Sequence, residues 1–280
     1  MTATGGYNKE RVTLNNGKED YMNRKTILWG ITFTLFVVFF VCSQGFSQEQ
    51  LYDSEKDFKV RKYGKGVEIT RYLGKKTDVM IPPHINNRPV EAIGKEAFRD
   101  RKLTSVSIPS TVTSIGDWAF AHNNLTEVTI PPDVYFIGRE AFYDNKLTEV
   151  TIPPGMTHIP YWAFAYNKLT KVTIPPTVTY IDAGAFFDNQ LTSVTIPPSV
   201  TYIGAEAFYD NDLTQVIIPD GVGAIKKRAF AANKLTSVTL PYGVTIGKEA
   251  FGKNDILLLY RKDGYMAGTY IYRGGRWNAQ

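Results

Sequence analysis

Three histidines, one cysteine and a scatter of carboxylates are the groups in this sequence that could do chemistry. Metal ligation needs His, Cys or carboxylates converging at short spacings, and nucleophilic catalysis needs a thiol or hydroxyl beside a base. His84, His122 and His158 lie 38 and 36 residues apart. That is no ligand spacing, and all three read as solvated turn residues. Cys42, the one cysteine, sits in an N-terminal apolar run, so the rest of the chain offers no thiol nucleophile, disulfide or Cys-based metal site. Gly221-x-Gly223 is followed by Ala-Ile-Lys and fails the dinucleotide pattern. Acids are spread along the chain without a converging pair. No enzyme activity, metal or cofactor is expected, which leaves binding by a surface.

The elements that would present such a surface follow from a repeat. Leu103, Leu125, Leu147, Leu169, Leu191, Leu213 and Leu235 are each 22 residues apart, and the unit reads L-T-x-V-x-I-P-P-x-V-x-x-I-G-x-x-A-F-x-x-N-x. Residues 125–146 are its clearest copy. An Ile-Pro or Leu-Pro step follows the Val in eight coils, and Ala-Phe also occurs eight times. Columns 4 and 6 alternate with 3 and 5, the period of a half-buried strand. Proline at column 7 has no N–H and ends the pairing. Columns 10, 13, 17 and 18 are apolar at spacings of three and four, which predicts a short helical or 3-10 return turn. Asn at column 21, from Asn123 to Asn233, is expected to take a left-handed backbone and to bond the next coil. Columns 16 and 19 hold Trp118/Ala121, Glu140/Tyr143, Trp162/Ala165, Gly184/Phe187, Glu206/Tyr209 and Arg228/Ala231, never two aromatics together. One ring is therefore expected to fill the same groove from either column.

One strand and one return turn cannot bury their own apolar face, but stacked copies can. At ~4.8 Å per strand, eight coils make a curved rod of about 40 Å. The expected fold is a right-handed leucine-rich-repeat solenoid of the α/β type, with parallel strands on the concave face and helical or 3-10 turns on the convex face. Residues 58–73 and 269–279 alternate around Gly64 and Gly274-Gly275 and are predicted to be hairpin caps. The expected layout is an N-terminal extension at 1–47, a hairpin cap at 48–78, about eight coils at 79–255 and a C-terminal cap at 256–280.

Residues 26–42 (TILWGITFTLFVVFFVC) follow Arg24-Lys25 and precede SQGFSQEQ. A basic flank, an apolar run and small residues afterwards describe a secretory signal, with Gly45 and Ser47 placed for a cut before Gln48. An uncleaved anchor and lipidation at Cys42 are the alternatives, and all three export the rest of the chain. Translation could equally start at Met1 or Met22. The net charge is +5, and residues 1–47, with five Lys/Arg against three Asp/Glu, carry +2 of it. The remainder is close to neutral, without the footprint of a nucleic-acid binder.

The L-x-x-V-x-I-P…V-x-x-I-G-x-x-A-F unit resembles the BspA-like leucine-rich-repeat family of bacterial surface proteins over about residues 60–280. The departures are Pro160, Asp182 and Lys226 in place of the Gly after Ile, and one residue lost between Val244 and Ile246. The resemblance implies a cell-surface or secreted protein that adheres to host extracellular-matrix or plasma proteins. A periplasmic scaffold for a partner from the same cell is the alternative. The constant columns are core, so any specificity belongs to the variable ones. On the concave face these are Glu127, Thr129, Glu149, Thr151, Lys171, Thr173 and Thr195, polar residues with a charge change between Glu149 and Lys171. A second candidate is the aromatic strip at column 12, Phe136, Tyr180 and Tyr202 beside His158, with Tyr135 and Tyr161 adjacent. The expected partner is a protein ligand, and membrane contact is expected only through the N-terminal segment.

Overall fold

The computed structural model describes residues 52–252 and 256–280, and the apolar run at 26–42 lies outside them. Residues 52–280 form a compact unit of their own. Among the described residues no helix is long and apolar enough to cross a membrane.

Most coils lay down a strand at columns 3–5, and where neighbouring coils both do so the strands pair in parallel without slippage. Glu149, Val150 and Thr151 stand beside Lys171, Val172 and Thr173, and Gln215–Ile217 beside Ser237–Thr239. A second parallel ladder, not foreseen from the sequence, runs through columns 12 and 13. Tyr180–Ile181 pairs with Tyr202–Ile203, which pairs with Ala224–Ile225 and then with Thr245–Ile246. Its strands are two residues long, too short for a period of two to register.

The return segment is a series of turns and contains neither helix nor 3-10 helix. Two residues per coil explain this correction. Columns 16 and 20 have left-handed backbone, as in Trp118 (φ 52°), His122 (φ 57°), Trp162 (φ 52°) and Tyr166 (φ 54°). A right-handed helix cannot pass through them. The turn N–H groups donate instead to the next coil: Trp118 to the carbonyl of Arg139 (2.9 Å), Phe120 to Ala141 (2.8 Å) and His122 to Tyr143 (2.9 Å).

The column-21 asparagine also differs from expectation. The left-handed residue falls one place before it, and its side chain bonds backwards. Asn123 Nδ2 donates to the carbonyl of Phe98 (2.8 Å) in the preceding coil, and its Oδ1 accepts from the N–H of Leu103 (2.9 Å). Asn145, Asn167, Asn189 and Asn211 are buried in the same role. Beneath them runs a stack of buried phenylalanines. Phe98, Phe120, Phe142, Phe164, Phe186, Phe208, Phe230 and Phe251 follow one another with ring centroids 5.1–5.8 Å apart.

Each end is closed by a hairpin, and each hairpin serves a different ladder. At the start, Phe58–Tyr63 pairs antiparallel with Gly66–Tyr72, which joins the second ladder through Arg88–Ile93. Tyr72 from this hairpin extends the phenylalanine stack, 5.4 Å from Phe98. At the other end Ile256–Lys262 is helical. The Tyr260 hydroxyl donates to the carbonyl of Pro241 (2.7 Å) and accepts from the N–H of Val244 (3.0 Å). The hairpin of Gly268–Arg273 and Arg276–Ala279 then continues the first ladder antiparallel to Ser237–Leu240.

Candidate ligand-binding surface

The side chains at columns 3 and 5 point away from the core because columns 4 and 6 point into it. Glu127, Thr129, Glu149, Thr151, Lys171, Thr173 and Thr195 are all exposed. They do not form one even strip. Glu149 and Thr151 stand beside Lys171 and Thr173 in a paired ladder. Residues 127–129 and 193–195 form no strand, so the first ladder consists of separate pieces. Where the strand at 127–129 is missing, a cleft of about 460 Å³ opens between two coils, lined by Glu127–Ile130 and Thr148–Thr151. It gathers four of the expected residues: Glu127, Thr129, Glu149 and Thr151. Thr195 lies two coils beyond this cluster.

The second ladder stops at the same junction. Phe136–Ile137 pairs only backwards, with Ser114–Ile115, and His158–Ile159 pairs only forwards, with Tyr180–Ile181. The cause is chemical. In other coils the residue after the column-13 Ile donates its N–H to the preceding coil, as from Gly138 to Ile115 (2.7 Å), Asp182 to Ile159 (2.9 Å) and Lys226 to Ile203 (2.9 Å). Here that residue is Pro160, which has no N–H to give the carbonyl of Ile137. The turn side of the junction stays closed, with Glu140 N–H donating to Tyr161 (2.9 Å) and Phe142 N–H to Ala163 (2.9 Å). Two adjacent coils are thus joined along the turns and just before the first ladder, where Thr148 N–H donates to Thr126 (3.3 Å), but unpaired at columns 3–5 and 12–13.

The aromatic strip divides at this break. Tyr180 and Tyr202 stack face to face, 4.2 Å apart and 7° from parallel, and His158 meets Tyr180 edge-on at 5.0 Å. The Lys226 ammonium covers Tyr202 at 5.3 Å. Ring faces used in this way are unavailable to a ligand. Burial, followed by the neighbouring Tyr202 hydroxyl, pushes the Tyr180 hydroxyl up to about 12. Phe136 lies across the break, 49% exposed, beside Tyr135 at 60%.

A further cluster lies on the turns. Trp162 stacks on Phe187 at 4.7 Å, Phe187 on Tyr209 at 5.0 Å, and Tyr143 lies 6.0 Å from Trp162. Rings from columns 16 and 19 thus share one groove, and Tyr166, from column 20, joins them at 5.3 Å from Phe187. Beside it, burial and then the charge of Asp210 raise the Asp188 carboxyl above the usual aspartate range. His122 Nδ1 lies 2.8 Å from Asp144 Oδ2. Among the described residues, no three His, Cys, Asp or Glu side chains come together as a metal site would require.

Stacked parallel strands, an internal asparagine ladder and capped ends define a leucine-rich-repeat solenoid. The family described as the BspA type leucine rich repeat region matches in six copies, over residues 91–212 and 157–260, and the chain belongs to it. No curated protein matches. Among solved structures, the chain is similar to the Treponema pallidum leucine rich repeat protein TpLRR (26% identity, TM-score 0.51, covering 76% of this chain and 96% of that one). It is also similar to a leucine rich cell surface protein of Faecalibacterium prausnitzii (26% identity, TM-score 0.49, 73% and 74% covered). The pneumococcal vaccine antigen PcpA matches at 18% identity with a TM-score of 0.49 (73% and 67% covered).

Proposed function

We propose that this chain is a non-catalytic, exported binding protein that acts at the bacterial cell surface and adheres to host extracellular-matrix or plasma proteins. Membership of the BspA-type repeat family supports a binding scaffold. The basic-flanked apolar run at 26–42 supports export. The observation that carries the ligand site is the cleft between the coils that begin at Leu125 and Leu147, where variable outward residues line a break that the first and second ladders share. Glu127 and Glu149 on its walls, with Lys171 one coil further, give the surface a charge pattern that a protein ligand can match.

Binding of the 52–280 fragment to immobilised matrix and plasma proteins tests this reading. Saturable binding is expected, and Glu127→Ala with Glu149→Ala should weaken it by about tenfold, the effect of losing ~1.4 kcal/mol at an interface. Absence of binding across the panel, together with a protein that protease cannot reach on intact cells, would favour a periplasmic scaffold instead.

A further inference from the structure

The near-neutral total charge of the folded part conceals a strong segregation along the solenoid. Residues 52–102 carry 13 Lys/Arg against eight Asp/Glu, a net of +5. Residues 103–225 carry four against twelve, a net of −8. Residues 226–280 carry ten against three, a net of +7. Because the fold stacks its coils in chain order, these sums describe two basic ends and an acidic middle.

The cations at the first end converge. The outermost strand of the second ladder, Phe58–Tyr63, exposes Lys59 and Lys62, with Arg61 between them already paired to Glu68. Lys59 stands directly beside Arg71 in the hairpin register, a like-charge pairing that costs stability unless an anion answers it. Arg71, Lys95, Arg99 and Arg101 then line a cleft of about 580 Å³ with Glu96 and Asp100. Both acids are already engaged: Arg99 lies 3.9 Å from Glu96 and 3.3 Å from Asp100. Arg101 occupies the column that elsewhere holds the ladder asparagine. That asparagine bonds backwards to a preceding coil, and here the neighbour is the hairpin, so the ladder's requirement lapses and a cation stands in its place.

We infer that this basic end is a docking surface for anionic phospholipid headgroups, on which the solenoid stands end-on with its acidic middle held away. Two observations favour a lipid surface over a soluble polyanion. The apolar run ends at Cys42, with nine residues between it and Tyr52. If it is retained, that linker places the basic end within about 35 Å of a bilayer. A long polyanion lying along the solenoid would also meet the −8 segment, whereas a flat surface touching one end would not. The inference is independent of the ligand cleft, since it uses other residues at another place in the molecule.

Co-sedimentation of the 52–280 fragment, which contains both caps and lacks the apolar run, tests the inference. The probes are vesicles of phosphatidylglycerol and phosphatidylcholine in equal parts, vesicles of phosphatidylcholine alone, and heparin as a soluble polyanion. Binding is expected only to the anionic vesicles at low salt. It should fall on the order of 100-fold in K59Q/K62Q/R71Q/K95Q. It should persist in K227Q/K248Q/K262Q/R276Q, which removes four exposed cations from the other end. Melting temperatures of both variants confirm that they fold. Equal binding to neutral vesicles, equal loss in both variants, or binding to heparin alone would each overturn the proposal.

Discussion

The buried column-21 asparagine ties each coil to the one before it. Asn167 Nδ2 donates to the carbonyl of Phe142 (3.0 Å), and its Oδ1 accepts from the N–H of Leu147 (3.0 Å). Leucine at this site would match the volume and strand both backbone groups. Asn167→Leu is therefore expected to cost about 3 kcal/mol, since a buried polar group left unpaired costs ~1–3 kcal/mol, and urea unfolding measures it. The sequence disclosed that this asparagine matters by repeating it. It did not disclose why, because Asn is common both at left-handed turns and as a buried bridge. Asp188 is a second such position. Its carboxyl is raised by burial and by Asp210, so the folded state holds the proton more tightly than the unfolded chain. The resulting stability is complete below the ordinary aspartate range and is lost as pH rises through the raised value. Asp188→Asn should thus be more stable than the parent at neutral pH, and the advantage should vanish in acid, as melting temperatures across pH will reveal.

At the scale of elements, the first ladder was legible because Val and Ile alternate with Thr and charged residues over several positions. The second ladder and the turns were not. A two-residue strand leaves no period, and the spacing of apolar residues at columns 10, 13, 17 and 18 suits a helix as well as it suits turns bonded between coils. What decides between them is left-handed backbone at non-glycine residues such as Trp118 and Tyr166, which composition does not announce. The departure at Pro160 was visible, but its consequence depends on the second ladder. Asp182 and Lys226 occupy the same column and keep the bond to the preceding coil, whereas proline cannot. Pro160→Asp is expected to restore a donor to the carbonyl of Ile137 and to slow amide exchange at residues 157–159 by about tenfold, the protection that a net hydrogen bond of ~1 kcal/mol or slightly more confers. Unchanged exchange would show that the junction is held open by something other than the missing N–H.

On the scale of the whole molecule, the repeat makes stability nearly a sum over neighbouring coils, so a weak junction localises motion. The hairpins protect the ends, since each uses one strand to complete a ladder and leaves a charged strand outside, with Lys59 and Lys62 at one end and Arg276 at the other. The solenoid itself was legible from the 22-residue period. The place where it opens was not, because the cleft needs a coil at 127–129 that fails to pair, although its sequence, Glu-Val-Thr, is that of the paired strand at 149–151. The difference therefore belongs to the stack and not to the strand. Amide hydrogen exchange on the 52–280 fragment tests this most directly. Rapid exchange is predicted at residues 127–130 and 157–159 and slow exchange at 171–173 and 180–181, with residues 140–145 protected along the turns. Uniform protection of all the coils would contradict an open junction and remove the basis for placing the ligand there.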